Sequence, residues 1–276
     1  MRSQPVRAIL EQLSAPHYWD QRDDEHVRSH IVWVCLLAEL GADGGHPLVG
    51  RAREFLFQTV QRDDGAFPSK HPVYGGVRPC SQGLVTEALL RLTRNPDARL
   101  ERAIEFAASL GYECAYNAGL PCAWGVVKLL RALMRIPRHR RRSTVAAAIQ
   151  RGVDLLLSYD LARANYPYSE AISPEWFKFG FPRGHQSDVL ETLETLACLG
   201  CAPDRRLEAA VALVKRKRGR DGRWRCEFVT PRAQTLGIDL VGEPSKWITL
   251  RALRVLKWWD ARPAPPPDPQ VGRKTS

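Results

Sequence analysis

The feature that most constrains this chain is a recurrence: apolar helical segments of two kinds alternate along it. One kind spans 26–40, 80–92, 122–134, 184–199 and 245–259, each starting after a loop rich in Gly, Pro or Cys. These segments are apolar around much of their circumference, as a helix packed on two sides must be. The other kind spans 6–13, 48–60, 98–110, 143–159 and 204–217 and is plainly amphipathic, as surface helices are. The alternation predicts an inner and an outer layer of paired helices, which is how a helical repeat closes a core. No run carries sustained strand alternation, so the expected fold class is all-α.

A loop repeats as well. Residues 52–67 and 209–224 each read as an outer helix followed by Asp-Gly-x-aromatic, namely Asp64-Gly65-Ala66-Phe67 and Asp221-Gly222-Arg223-Trp224. The Gly supplies a positive φ, the Asp bonds nearby backbone, and the aromatic is expected to fold back and staple the turn to the next repeat. The domain is expected to span 1–260. The tail, 261–276, is Pro-rich and polar and is read as disordered.

Composition narrows the function classes. No stretch approaches 18 continuous apolar residues, so no membrane span is expected. The N-terminus carries charge and lacks the apolar core of a signal peptide. The seven cysteines are odd in number and scattered, which reads as reduced thiols in a cytoplasmic protein. The net charge of +11 raises a nucleic-acid partner. The basic residues are nevertheless spread out, with clusters at 138–142 and 215–225, and no nucleic-acid-binding motif accompanies them; a solvated surface is the favoured reading.

The Asp64 loop resembles the QW motif of the squalene–hopene cyclase and prenyltransferase α/α-toroid superfamily, with Gln61 displaced from the strict spacing and Arg218 in its place in the second copy. Single-domain prokaryotic squalene-cyclase-like, or prenyltransferase-repeat, proteins are the nearer likeness. It is carried by Leu37-Ala-Glu-Leu-Gly-Ala-Asp43, Cys122-Ala-Trp-Gly-Val-Val-Lys128, Trp176-Phe-Lys-Phe-Gly-Phe-Pro182, Gln186-Ser-Asp-Val-Leu-Glu191, Asp221-Gly-Arg-Trp224 and the segment 244–256. The resemblance implies an α/α toroid, a single ring of about five to six helix pairs, open or closed. It implies no particular reaction. The Asp-x-Asp-Asp acid motif of class II terpene cyclases survives only in its last two acids, in Gln21-Arg22-Asp23-Asp24 and Gln61-Arg62-Asp63-Asp64. Asp23 lies where the superfamily places its acid, and equally suits a helix N-cap. The magnesium motif of chain-elongating prenyltransferases and the zinc loop of protein prenyltransferases are absent.

In a toroid the N-termini of inner helices line one mouth of the cavity, where free N–H groups favour anions. That predicts a site from His30, Gln82, Trp124, Trp176, Lys178, His185, Gln186, Lys246 and Trp247. Asp188, Glu191, Thr192 and Thr195 fall on one helical face, with Lys128 as candidate partner. Buried acids are either paired or functional, so Asp188 bridges Lys128 or Lys246, or Asp188 and Glu191 act as general acid and base. Lys178 and Lys246, beside aromatics, are anion anchors or snorkelled packing lysines. Cys80 and Cys122 open inner helices, where a thiol is activated; with His185 and Asp188 they form a conceivable zinc set, against a plain packing role. Cys198-Leu-Gly-Cys201 has CxxC spacing but no second pair. No Walker loop, Rossmann fingerprint or nucleophile elbow is present, and no cofactor is expected.

The expected function is therefore an enzyme whose central pocket takes a small, partly apolar substrate, which the resemblance implies is terpenoid-like, and works as a cyclase, isomerase, lyase or hydrolase by acid–base chemistry of Asp188, Glu191 and Asp23. The alternative is a non-catalytic lipid or metabolite binder, and the third reading an Arg-rich scaffold or nucleic-acid binder. A homodimer remains open.

Overall fold

The computed structural model describes residues 3–69, 75–168 and 171–261. Among them the chain forms eleven α-helices, a few 3-10 turns and one pair of two-residue strands, an all-α architecture. In chain order the helices are α1 (Gln4–Leu13), α2 (Asp24–Glu39), α3 (Pro47–Thr59), α4 (Pro79–Leu92), α5 (Ala98–Ser109), α6 (Ala123–Leu133), α7 (Ser143–Leu157), α8 (Val189–Leu199), α9 (Glu208–Arg216), α10 (Pro231–Thr235) and α11 (Lys246–Asp260). Strands β1 (Trp224–Arg225) and β2 (Pro244–Ser245) pair antiparallel, with Trp224 opposite Ser245. Neither α10 nor the strand pair is expected from periodicity, because each is too short to show any. The tail beyond Ala261 lies outside the described residues.

The two kinds of helix differ in burial as their sequences imply. Every residue of α6 except Trp124 is buried, and α8 buries nine of its eleven. The outer α9 buries only Ala210, Val211 and Val214. The inner helices run side by side: α2 packs on α4, α4 on α6, α6 on α8 and α8 on α11. The α4–α6 pair is the most intimate, and Gly83 explains why. A Cβ at Gly83 would lie 2.3 Å from the carbonyl carbon of Lys128, so only glycine lets the two backbones touch. One contiguous core runs from Val6 to Trp259.

Local chemistry fixes where the inner helices begin. Asp23 caps α2 by accepting from the His26 N–H, and Ser245 caps α11 by accepting from Ile248. Asp188 caps α8 through the Glu191 N–H, so this helix starts at Val189 rather than at 184. The residues before it form a loop in which Gly184 adopts φ +62°.

The repeated turns carry a shared device. Gly65 (φ +94°) and Gly222 (φ +78°) turn the chain, while Asp64 and Asp221 accept the N–H groups of Ala66 and Arg223. The following aromatics, Phe67 and Trp224, are buried. The Phe67 N–H donates to Gln82 Oε1 at 2.8 Å, and the Trp224 N–H to Thr249 Oγ1 at 3.1 Å. Gln82 and Thr249 each occupy the fourth position of an inner helix. Gln61 crosses to the neighbouring repeat, its Nε2 donating to the Arg99 carbonyl at 2.8 Å.

Candidate functional site

All five inner helices send charged side chains to one place. Arg131 of α6 is its hub: it lies 3.3 Å from Glu39 of α2, 3.0 Å from Glu87 of α4, and 3.3 and 3.8 Å from Glu191 and Glu194 of α8. Arg251 of α11 reaches Glu194 at 3.3 Å and Glu39 at 3.5 Å. Arg91 and Arg135 close on Glu87, Arg254 on Glu194, and the Lys128 ammonium donates to both Glu191 oxygens at 2.9 and 2.8 Å. Burial pushes the Glu191 carboxyl up, but Lys128, Arg131 and Arg251 outweigh it and hold it at about 2. Burial likewise opposes the charge on Glu87, and Arg131, Arg135 and Arg91 overcome it, leaving that carboxyl at about 2. Both glutamates are therefore fixed carboxylates at neutral pH.

Beside this network opens a cavity of ≈ 400 Å³, lined from every inner helix. Arg91, Arg131, Arg135, Arg251 and Arg254 supply its cationic wall, and Glu39 and Glu194 its acidic one. Phe181 and Trp247 stack on one another at 4.4 Å between centroids and form an aromatic wall, with the Arg251 guanidinium 5.0 Å over Phe181. The Trp247 indole N–H is buried there with no acceptor among the described residues.

The expected site residues are dispersed by the fold. Trp247 lines the cavity, and Lys128 and Glu191 belong to the ion network below it. The expected bridge from Asp188 to Lys128 or Lys246 is not formed, because Lys128 is taken by Glu191. Asp188 instead accepts the N–H groups of Glu191 (2.7 Å) and Gly180 (3.2 Å) and faces Arg183 at 3.4 Å. Thr192 and Thr195 donate to carbonyls one turn back on their own helix. Asp23 is an exposed cap. Lys178 is exposed and pairs with Glu175, and Lys246 is exposed over the ring of its neighbour Trp247.

Gln82, Trp176 and His30, also expected to meet a ligand, are consumed by structure. Gln82 is fully buried, and besides Phe67 it contacts Gly65, Thr86 and Ala103. Trp176 is fully buried, its indole N–H donating to the Leu161 carbonyl. His30 sits in an aromatic box with Tyr18, Trp19 and Phe55, one ring nitrogen 2.9 Å from the Tyr18 hydroxyl and the other 2.9 Å from the Ala52 carbonyl. Trp124 and His185 lie together, 6.5 Å apart, at the N-terminal end of α6, with Gln186 in the same loop as His185. Cys122 shares that end, and Cys80 is buried. Among the described residues no group of three or more His, Cys, Asp or Glu is placed to hold a metal ion, so Cys80, Cys122, His185 and Asp188 do not form a zinc set. No helix among them is long and apolar enough to cross a membrane.

Arg131, Glu39, Glu87, Glu194 and Arg251 are absent from the sequence-derived site. Their signal is present: Glu87 and Arg91, Lys128, Arg131 and Arg135, Glu191 and Glu194, and Arg251 and Arg254 stand at helical spacings inside otherwise apolar segments. A charge in such a segment must find a partner, and apart from the Glu87–Arg91 pair the partners are on other helices. Comparison with known protein families and with curated proteins finds no match to this chain.

Proposed function

We propose that this chain is an α/α toroid of five outer–inner helix pairs, closed between α11 and α2, whose central cavity binds a small, partly apolar anion. The observation that carries this reading is a charge imbalance. Among the described residues, six cationic side chains, Lys128, Arg91, Arg131, Arg135, Arg251 and Arg254, form ion pairs with four acids, Glu39, Glu87, Glu191 and Glu194, around a recessed cavity. The extra cations are carried at the rim, where Arg135 is 35% and Arg254 56% exposed, so an anionic ligand group entering the cavity meets guanidinium donors there. Guanidinium groups suit a carboxylate or phosphate bidentately, and the Phe181–Trp247 wall suits an apolar body. The likeness to terpene cyclases makes a terpenoid acid or phosphate ester the leading ligand class.

A binding role is favoured over acid–base catalysis. Neither Asp188 nor Glu191 lines the cavity, and both are held in ion pairs. A nucleic-acid role has less support still, since Arg140 and Arg142 of the basic cluster pair with Glu101 and Glu105.

Calorimetric titration with farnesyl diphosphate, farnesoic acid and neutral farnesol tests this reading. The charged ligands are expected to bind, farnesol at least tenfold more weakly. Arg254→Gln, half exposed at the rim, is expected to weaken the anions about tenfold, the scale of one charge-assisted hydrogen bond. Equal affinity for farnesol, or no binding of any of the three, overturns it. Recovery of a chemically altered ligand would restore the enzyme reading.

A further inference from the structure

At the other end of α6 lies a second cavity, of ≈ 230 Å³, whose walls include Cys114, Cys122, Tyr116, Trp124, Tyr166 and Tyr168. It plays no part in the anion site. Its two cysteines stand on a short antiparallel ladder. The Cys114 N–H donates to the Leu120 carbonyl at 3.1 Å, the Cys122 N–H donates to the Tyr112 carbonyl at 2.9 Å, and Glu113 bridges Pro121 between them. In that register Cys114 and Cys122 are diagonal neighbours on one face.

Cys114 leads directly into the turn Ala115–Asn117, whose Asn117 N–H donates back to the Cys114 carbonyl at 2.8 Å. The Cys122 thiol beside it, the backbone N–H groups of the turn and the nearby Arg78 cation all favour the Cys114 thiolate. Led by the Cys122 hydrogen bond, these contacts bring the Cys114 thiol down to about 6, while the same pairing pushes Cys122 up. Burial raises the thiols of Cys35, Cys80, Cys198, Cys201 and Cys226. Cys114 is thus the cysteine whose thiol is drawn toward the thiolate, and it lines a cavity walled by aromatic rings.

We infer that Cys114 is a nucleophile for a planar, apolar electrophile bearing an activated double bond, which the tyrosine and tryptophan walls seat and for which Cys122 is the proton donor. The Cys114 sulfur adds to the β-carbon of an α,β-unsaturated carbonyl compound, forming one S–C bond. The double-bond electrons pass to the carbonyl oxygen as an enolate. The enolate takes the Cys122 thiol proton, and water reprotonates Cys122. No oxidant or reductant is consumed.

The test is competitive labelling of the full-length chain with a substoichiometric amount of N-phenylmaleimide, read by peptide mapping. Exposure alone favours Cys198, the exposed cysteine. The inference expects Cys114 to be labelled first at pH 7, with a rate that rises to a midpoint near pH 6. Cys122→Ala is expected to move that midpoint up by about one unit, a tenfold loss of thiolate below it, and Cys122→Ser, which keeps a donor, by less. Should Cys122→Ala not fold, the wild-type and Cys122→Ser profiles carry the test. Labelling of Cys198 ahead of Cys114, or an unshifted Cys114 midpoint near the ordinary thiol value of about 8.5, overturns the inference.

Discussion

Arg251 lies 3.5 Å from Glu39, so the last inner helix is tied to the first by an ion pair between a buried guanidinium and a half-buried carboxylate. The contact joins the two ends of the inner layer, with Arg232 adding a second tie by lying 4.8 Å over the Trp33 ring. A double-mutant cycle on Glu39→Gln and Arg251→Gln is expected to give a coupling energy of about 1 kcal/mol or more in urea denaturation. Simple additivity would mean that α2 and α11 do not meet in solution.

Lys128 and Glu191 are both fully buried, and their bond matters more for what its loss leaves behind than for its net worth. Lys128→Met is expected to cost about 3 kcal/mol, because an ionised carboxylate loses its bidentate partner in the core. Lys128→Met combined with Glu191→Leu is expected to recover most of that stability. Chemical denaturation of the two variants separates this from a simple packing defect, in which the second substitution would worsen the first.

Acid should unfold the protein in two stages. Burial, and then the charges of His26 and Arg22, lower the His30 ring to about 4 despite the Ala52 hydrogen bond. The unfolded ring titrates near 6.5, so the native state refuses a proton that the unfolded state accepts between those values. Stability from neutral His30 is complete above pH 6.5 and is lost as pH falls toward 4. Glu191, held at about 2, adds a second loss as pH falls below its unfolded value of 4.5 toward 2. Urea midpoints at pH 7, 5 and 3.5 should show a loss of about 2 kcal/mol in the first step. His30→Gln should remove that step and spare the second; an unchanged first step would clear His30 of any role in it.

Gln82 secures a turn rather than a ligand. Gln82→Ala is expected to destabilise by about 1–3 kcal/mol, the cost of leaving the Phe67 N–H and its neighbours unpaired. Affinity for the anions above should not change. Thr249→Val should do the same at the Trp224 turn with a smaller loss, having one hydrogen bond to lose there. Altered ligand affinity in Gln82→Ala without loss of melting temperature would return this residue to the binding site.

The sequence by itself determined what depends on near neighbours in the chain. The alternation of wholly apolar and amphipathic segments set the inner and outer helices, because burial on two sides or on one is written into a helix's own circumference. The Asp-Gly-x-aromatic turns and the Asp23 cap were likewise legible, since a turn or a cap is satisfied within a few residues. Only the tertiary structure decided which charges meet. Helix spacing places Lys128 and Arg131 on one face, but the packing of α6 on α4 at Gly83 and on α8 hands Lys128 to Glu191 and gives Arg131 four glutamates. It also set the arginine-lined cavity at the opposite end of α6 from the helix N-terminus, where a second cavity lies beside Cys122 and Trp124. Partner choice between helices depends on their rotation and register, and those are fixed by the packing of the whole core rather than by any one segment.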